Sequence, residues 1–372
     1  MDDLAQVRVA EMLHHRKARL QLGEAIVPAI SLSTTFHLPQ SQGAAHYYGR
    51  SGQPMWDEVE AQLGILEDAE VVTFPSGMAA ILAALIVTLR AGAKVMIPSD
   101  GYYVTRLLAR DMLAVYGVEV VEVPTLDMAD ADFSGFCVIY IESPSNPGLD
   151  VIDIAAVAAR AKAAGAKVIA DNTTLTGLLQ RPLDLGADLV VAADTKAPAG
   201  HSDALFGHVS GRDMNLMARI REWRRQSGAV PGPFEAYLVH RGIETLELRL
   251  SRMCASAQVV AERLAAFRGV TGLRYPGLPG DPSHAITKRQ SSGFGFLIGF
   301  ELATEDLAEA FLASCPFIVQ ATSFGSTHTA AERRARWGDK VAPGFIRLSV
   351  GIEPVETLWD AIAKALDDVG VA

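Results

Sequence analysis

The stretch Ala187–Asp203, ADLVVAADTKAPAGHSD, decides how this chain is read. An apolar run, Leu189 to Ala193, ends in Asp194-Thr195-Lys196 and reads as a short buried strand. A loop of small residues with one proline follows, closing on Gly200-His201-Ser202-Asp203. Open α/β sheets place their ligands beyond the carboxyl ends of their strands. A lysine amine in such a place can form a Schiff base with a carbonyl cofactor or substrate. The competing reading is a solvated lysine that happens to follow a strand, since lysine is seldom buried.

On either side, from Tyr47 to about Arg241, strand-like and helix-like segments alternate. Tyr48-Gly49-Arg50-Ser51-Gly52-Gln53-Pro54 is a turn-rich loop. Trp56–Leu66 predicts an amphipathic helix with Val59, Leu63 and Leu66 on one face. Glu70–Phe74 predicts a strand, and Pro75-Ser76-Gly77 opens a helix that runs to Leu89 and is stopped by Gly92. Further strands are expected at Lys94–Ile97, Val118–Val123, Phe136–Ile141, Lys167–Ala170 and Leu205–Ser210, with helices at Tyr103–Tyr116 and Ile152–Ala164. Such alternation implies right-handed crossovers and a mostly parallel sheet covered on both faces.

Beyond Arg241 the pattern changes. Glu244–Phe267 predicts a long helix with Leu246, Leu250, Met253, Val260 and Leu264 facing inward. Strands at Ser292–Phe300, Phe317–Ala321 and Phe345–Val350 and helices at Leu307–Ala313 and Val355–Leu366 predict a smaller α+β end domain with antiparallel strands. The chain therefore divides into an arm over 1–45, a large α/β domain over 46–242 and a C-terminal domain over 243–372. The arm has one helical piece, Met12 to Leu22, and no core periodicity, so it is expected to pack on a neighbouring subunit.

A length of 372 residues allows one large core and a second smaller one. The net charge of −10 lacks the basic footprint of a nucleic-acid surface and disfavours anionic lipid. The three cysteines, Cys137, Cys254 and Cys315, form no C-x-x-C pair, which fits a reducing cytoplasm and gives neither a disulfide framework nor a zinc site. His14 and His15 are adjacent, the wrong spacing for two ligands on one helix face, and read as solvated. No apolar core of a signal peptide is visible at the N-terminus. Met78–Leu89, the longest apolar run, is too short to span a bilayer. A cytoplasmic protein without nucleic-acid or membrane partners is expected.

Several polar residues fall at the ends of the expected parallel strands. Ser76-Gly77-Met78 opens a helix whose free N–H groups suit a phosphate, or Ser76 is simply its N-cap. Asp171 ends a strand where a carboxylate needs a cation or donor, which a pyridinium nitrogen would supply; an Asx turn is the plainer reading. Asn146, fixed between Pro144 and Pro147, offers a rigid amide. Tyr102 could stack on a flat cofactor or belong to the core. Arg347 opens a strand and suits two-pronged capture of a carboxylate, or lies on the surface. Taken together these residues describe a site for pyridoxal phosphate engaged in amino-acid chemistry.

The segments YGRSGQP (Tyr48–Pro54), PSGMAA (Pro75–Ala80), ESPSNP (Glu142–Pro147), DNT (Asp171–Thr173) and LQRPLDLGADLVV (Leu179–Val191) occur in that order. TK (Thr195-Lys196), GHSD (Gly200–Asp203), VHRGIETLELRL (Val239–Leu250) and RLSVGIE (Arg347–Glu353) continue the series. On these segments the chain resembles the pyridoxal-phosphate enzymes of cysteine and methionine metabolism, the trans-sulfuration group, over about Ile26 to Gly351. The resemblance implies an aspartate-aminotransferase-like (fold type I) α/β fold with pyridoxal 5'-phosphate as cofactor. It makes Lys196 the Schiff-base lysine and proton shuttle. It pairs Asp171 with the pyridine nitrogen, Asn146 with the ring oxygen, and stacks Tyr102 on the ring as an aid to proton transfer. Ser76, Gly77, Met78, Thr173 and Thr195 belong to the cofactor site. Thr322, Ser323, Arg347 and Asn146 belong to the substrate site. Tyr48 and Arg50 would reach the cofactor phosphate of a neighbouring subunit, which implies an obligatory dimer, and the family is usually tetrameric.

Departures from the family pattern surround the lysine. Ala193 stands where a serine is common, and its missing hydroxyl removes a phosphate donor worth about 1.5–3 kcal/mol. Ala197, Pro198 and Ala199 replace the usual tyrosine, leucine and asparagine, and Tyr103 and Val104 replace two glycines. Thr322 is neither the acidic residue common in cystathionine gamma-lyases nor the aromatic one of beta-lyases. The run SFGSTHTAAERRARWG (Ser323–Gly338) resembles a bacterial subgroup assigned as cystathionine gamma-lyases. The expected reaction is α,γ-elimination of L-cystathionine. Cystathionine beta-lyase and gamma-synthase (or another γ-replacement enzyme) are the alternatives. Methionine gamma-lyase, whose cysteine position holds Val104, and a repurposed binding protein rank below them.

Overall fold

The computed structural model describes residues 3–39 and 43–371. Of the arm expected over 1–45, residues 1, 2 and 40–42 lie outside the described residues.

Short apolar runs broken by glycine turns give seven strands: β1 (Glu70–Phe74), β2 (Lys94–Pro98), β3 (Glu119–Val123), β4 (Val138–Glu142), β5 (Lys167–Asp171), β6 (Leu189–Ala192) and β7 (Gly207–Gly211). They form one sheet in the order β1-β7-β6-β5-β4-β2-β3. Strands β3, β2, β4, β5 and β6 run parallel, and β7 runs antiparallel to both β6 and β1. The α/β class and mostly parallel sheet expected from the sequence are therefore present. The central strands β4, β5 and β6 are buried along nearly their whole length, as strands covered on both faces must be, whereas the edge strand β3 is not.

One face is covered by the helices Gly77–Thr88 and Met214–Ser227, the other by Ile154–Ala163. The helix Pro54–Glu67 buries Val59, Leu63 and Leu66 as its spacing predicted. The helix from Gly77 ends at Thr88; Leu89 is already extended, and Gly92 (φ +77°) makes the turn into β2. Tyr103–Tyr116 is not one helix. It is α-helical over Tyr103–Leu108, widens to a π turn over Ala109–Leu113 and tightens to 3₁₀ over Ala114–Tyr116.

The second, smaller sheet contains β8 (Thr271–Arg274), β9 (Leu297–Glu301), β10 (Val319–Gln320), β11 (Ala330–Arg333) and β12 (Phe345–Ser349), ordered β10-β11-β12-β9-β8. Strand β9 begins later than its apolar pattern from Ser292, after Gly295 at φ +80°. The pairs are antiparallel except β10 with β11, which is parallel because the short β10 enters the sheet from a loop. Leu246, Leu250, Met253, Val260 and Leu264 of the helix Leu246–Ala266 all face the core there.

The arm departs from its expectation. Its helix is Asp3–Leu13, and the residues from His14 onward run into turns and extended chain. His14 is exposed, but His15 is not solvated: its Nδ1 lies 2.7 Å from the Met12 carbonyl and its Nε2 3.0 Å from Glu58. No helix among the described residues is long and apolar enough to cross a membrane.

Candidate active site

The carboxyl ends of the parallel strands open into one cavity of about 330 Å³, closed on the far side by the second sheet. The cavity gathers Ser76, Gly77, Met78, Tyr102, Asn146, Asp171, Thr173, Thr195, Lys196, Thr322 and Arg347. Ser323 joins them through Lys196, whose Nζ donates to Ser323 Oγ at 2.9 Å. Tyr48 and Arg50 do not reach the cavity of their own chain. Arg50 donates to the Arg225 carbonyl at 2.7 Å and lies over the Tyr48 ring.

Burial works against the charge of Lys196, as it does against those of Arg347 and Asp171. It pushes the lysine amine down to about 8, and the neighbouring Arg347 adds to this. At pH 8 about half the chains carry a neutral amine, the form that attacks an aldehyde. The apoprotein should therefore take up pyridoxal phosphate faster as pH rises, about tenfold per unit below pH 8, levelling above it. Stopped-flow absorbance across pH 6–10 measures this; a profile that keeps rising to pH 10 would mean an ordinary lysine.

Asp171 ends β5 directly opposite Glu142, which ends β4. Two buried carboxylates in register cannot both ionise freely. Burial, followed by the charge of Asp171, pushes Glu142 up to about 8, so it keeps its proton at neutral pH. Its oxygens accept the N–H groups of Tyr102 and Asn146, each at 2.7 Å, and thereby hold the two strand-end loops. Burial raises the Asp171 carboxyl too, but three donors oppose it: Tyr140 Oη at 2.9 Å, Thr173 N at 3.0 Å and Thr173 Oγ1 at 2.6 Å. Tyr102 is half-buried, its hydroxyl raised by burial and then by Tyr103.

Gly77 sits against the lysine strand. A Cβ there would lie 2.5 Å from the Ala193 Cβ, so only glycine allows this approach. Ser76 caps the helix, accepting from Ala79 N at 3.1 Å. The N–H groups of Gly77 and Met78 have no acceptor among the described residues. The Thr195 hydroxyl is engaged twice by Phe206, donating to its carbonyl at 3.1 Å and accepting its N–H at 2.9 Å. It reaches a ligand by donation only if it turns away from Phe206.

The small residues after Lys196 are matched by their surroundings. Arg249, from the long helix, donates to the Ala197 carbonyl at 2.6 Å, the Pro198 carbonyl at 3.3 Å and the Gly242 carbonyl at 2.5 Å. The lysine loop is thus held through its carbonyls, not its side chains.

Three features were not read from the sequence. Asp194, fully buried, pairs with His208 at 2.9 Å, and Glu67 stands 3.8 Å from the other ring nitrogen. Burial alone would lower the His208 pKa, but the Asp194 carboxylate overrides it and raises the pKa. The cavity also includes Tyr103, Phe324, Arg334 and Trp337. Finally, Arg347 is buried beside Glu332. Arg334 and Trp337 occur in the quoted run RRARWG, where so many cations in a row read as solvated surface.

A family model described as "Cys/Met metabolism PLP-dependent enzyme" matches residues 10–367. A Streptomyces coelicolor protein named "Putative cystathionine gamma-lyase" is 45% identical over 93% of this chain and 90% of its own length. The cystathionine beta-lyase of Lactococcus lactis subsp. cremoris is 36% identical over 93% of this chain and 94% of its own length. The crystal structure of cystathionine gamma synthase from Xanthomonas oryzae pv. oryzae in complex with cystathionine superposes with a TM-score of 0.93 at 31% identity, covering 97% of this chain and 98% of that one. With the strand-end cavity and its buried lysine, these matches place the chain in the Cys/Met metabolism PLP-dependent enzyme family, as a trans-sulfuration enzyme that uses pyridoxal 5'-phosphate.

Proposed function

We propose that this enzyme cleaves L-cystathionine by α,γ-elimination, releasing cysteine, 2-oxobutyrate and ammonia. The observation that carries the reading is the convergence of Lys196, Asp171 and Arg347 on one cavity. The run Ser323–Gly338 and the Streptomyces coelicolor relative favour the γ-lyase over the β-lyase, γ-synthase and methionine-cleaving readings.

The residues fit the cofactor. Gly77 and Met78 offer two unused N–H groups at the start of a twelve-residue helix, a seat for the phosphate with Thr195 beside it. Asp171, buried and without a cation in contact among the described residues, would gain its counter-charge from a pyridinium nitrogen, and Asn146 lies within the same cavity, where it could meet the ring oxygen. When bound, pyridoxal phosphate supplies an electron sink for a carbanion at Cα.

The chain's own residues do the rest. Lys196 Nζ, steadied by Ser323, would act as a proton shuttle: it would take the proton from Cα, give it up at the cofactor's C4′ carbon, and so be free to take one from Cβ, which γ-elimination requires. Tyr102, whose raised hydroxyl keeps its proton at neutral pH, lines the same cavity and would stack on the cofactor ring and give a proton to the departing sulfur. Arg347, with Asn146, Thr322 and Ser323 around it, holds the substrate carboxylate.

Replacing Arg347 with alanine should raise KM for the amino acid about 10- to 100-fold, the worth of a charge-assisted hydrogen-bonded pair, while the cofactor spectrum stays. Steady-state kinetics decide this, and an unchanged KM removes the carboxylate role.

Tyr48 and Arg50 are assigned to a neighbour's cofactor phosphate. This requires at least a dimer, with a tetramer as the expected assembly. Support comes from the exposure of both side chains and from the arm, where Leu22, Ile26, Val27 and Leu32 are exposed on the single chain. An arm with so much uncovered apolar surface is suited to burial against a second subunit.

A further inference from the structure

Glu332 lies outside the residues assigned to cofactor and substrate, yet it joins three side chains of the cavity wall. It sits on β11 directly opposite Arg347 on β12. Its Oε1 accepts from Arg347 Nη2 at 2.7 Å and from Arg334 Nη1 at 2.5 Å. Its Oε2 accepts from Trp337 Nε1 at 2.8 Å. One carboxylate therefore ties together three side chains that line the cavity, and both it and Arg347 are only 3% exposed. Asp339 completes the cluster, accepting from Arg334 Nε at 2.7 Å.

We propose that Glu332 is a positioning residue: by holding Arg334 and Arg347 on one oxygen, it fixes the plane of the Arg347 guanidinium that captures the substrate carboxylate. The proposal rests on Arg347 having that role. The hydrogen-bond pattern shows how the fixing works. Arg347 Nη2 is occupied by Glu332 and the Thr322 carbonyl, and Nη1 gives one hydrogen to Asn146 Oδ1 at 2.6 Å. The Nε hydrogen and the second Nη1 hydrogen have no acceptor among the described residues, so either could meet a carboxylate oxygen. Without Glu332, two buried guanidinium groups meet with no anion between them, and their repulsion turns Arg347 off this orientation. The same carboxylate acts on Lys196. Arg347 and Arg334 lower the lysine pKa, while Glu332 and Asp171 raise it.

The test uses the cofactor-loaded enzyme with L-cystathionine, followed by substrate loss so that KM does not depend on which C–S bond breaks. Glu332→Gln should raise KM at least fivefold and change kcat by less than twofold. In the apoprotein of this variant, the midpoint of the pH profile for cofactor uptake should move below the native one, because a charge that raised the lysine pKa is gone. The pair Glu332→Gln/Arg334→Met removes one acid and one base and so keeps the cluster's net charge. It should keep a KM above native, because Arg347 Nη2 still lacks its charged acceptor although the repulsion is gone, with the midpoint back near native, and it decides the matter if the single variant is too unstable to purify. KM within twofold of native in both variants overturns the proposal, provided Arg347→Ala still raises KM. If Arg347→Ala leaves KM unchanged as well, the carboxylate role of Arg347 is what fails.

Discussion

Replacing Lys196 with alanine is expected to lower turnover by at least about a thousandfold, within the range lost when a positioned acid–base group is deleted. The same substitution should remove the absorption near the visible–ultraviolet border that a lysine-bound cofactor gives. Unfolding is not the expected cause. The Lys196 amine is depressed to about 8, chiefly by burial. A lysine whose folded pKa lies below its unfolded value makes the fold less stable as pH falls through that range, because the unfolded chain binds the extra proton. Deleting it relieves that cost near neutrality. Thermal melting of the apoprotein at pH 7 should therefore be unchanged or raised, while activity and colour disappear. A variant that keeps colour and turnover would return Lys196 to the solvated lysine of the plainer sequence reading.

Asp171→Asn should be nearly as damaging to kcat, by about 10² to 10⁴. That corresponds to losing one partner of a buried ion pair, about 3–5 kcal/mol. The asparagine side chain is nearly isosteric and can still accept from Thr173, so the shape of the site survives. What goes is the negative charge facing the cofactor ring. A second consequence separates this from a general disturbance. Asp171 is, after burial, the main cause of the raised Glu142 carboxyl. With Asp171 neutral, Glu142 should titrate lower, and the limb of the pH–rate profile that reports it should move to lower pH. A profile that keeps its position while kcat falls would argue that Asp171 acts only through the local fold.

Much of the α/β half could be read from the sequence because burial on both faces leaves unmixed apolar runs, as in Val138–Ile141 and Leu189–Ala192. The residues at the ends of those runs could be named because chemistry in such sheets collects there, and the cavity contains nearly all of them. The second sheet was harder to see. Strand β11, Ala330–Arg333, is completely buried yet half charged; its polar side chains are satisfied by partners distant in sequence, which no periodicity records. The same holds for His15, paired with Glu58, and for the Asp194–His208 pair, which joins the turn after β6 to β7. Charge in a sequence reads as solvent exposure. Here it marks places where the chain folds an acid and a base onto one another, and one of those places, around Glu332, borders the active site.

The central claim is the bond that is cleaved. Incubation of the cofactor-loaded enzyme with L-cystathionine, with products separated and identified, tests it most directly. The expected products are 2-oxobutyrate, cysteine and ammonia. Pyruvate with homocysteine would contradict it in favour of β-elimination, and intact cystathionine would refute both lyase assignments.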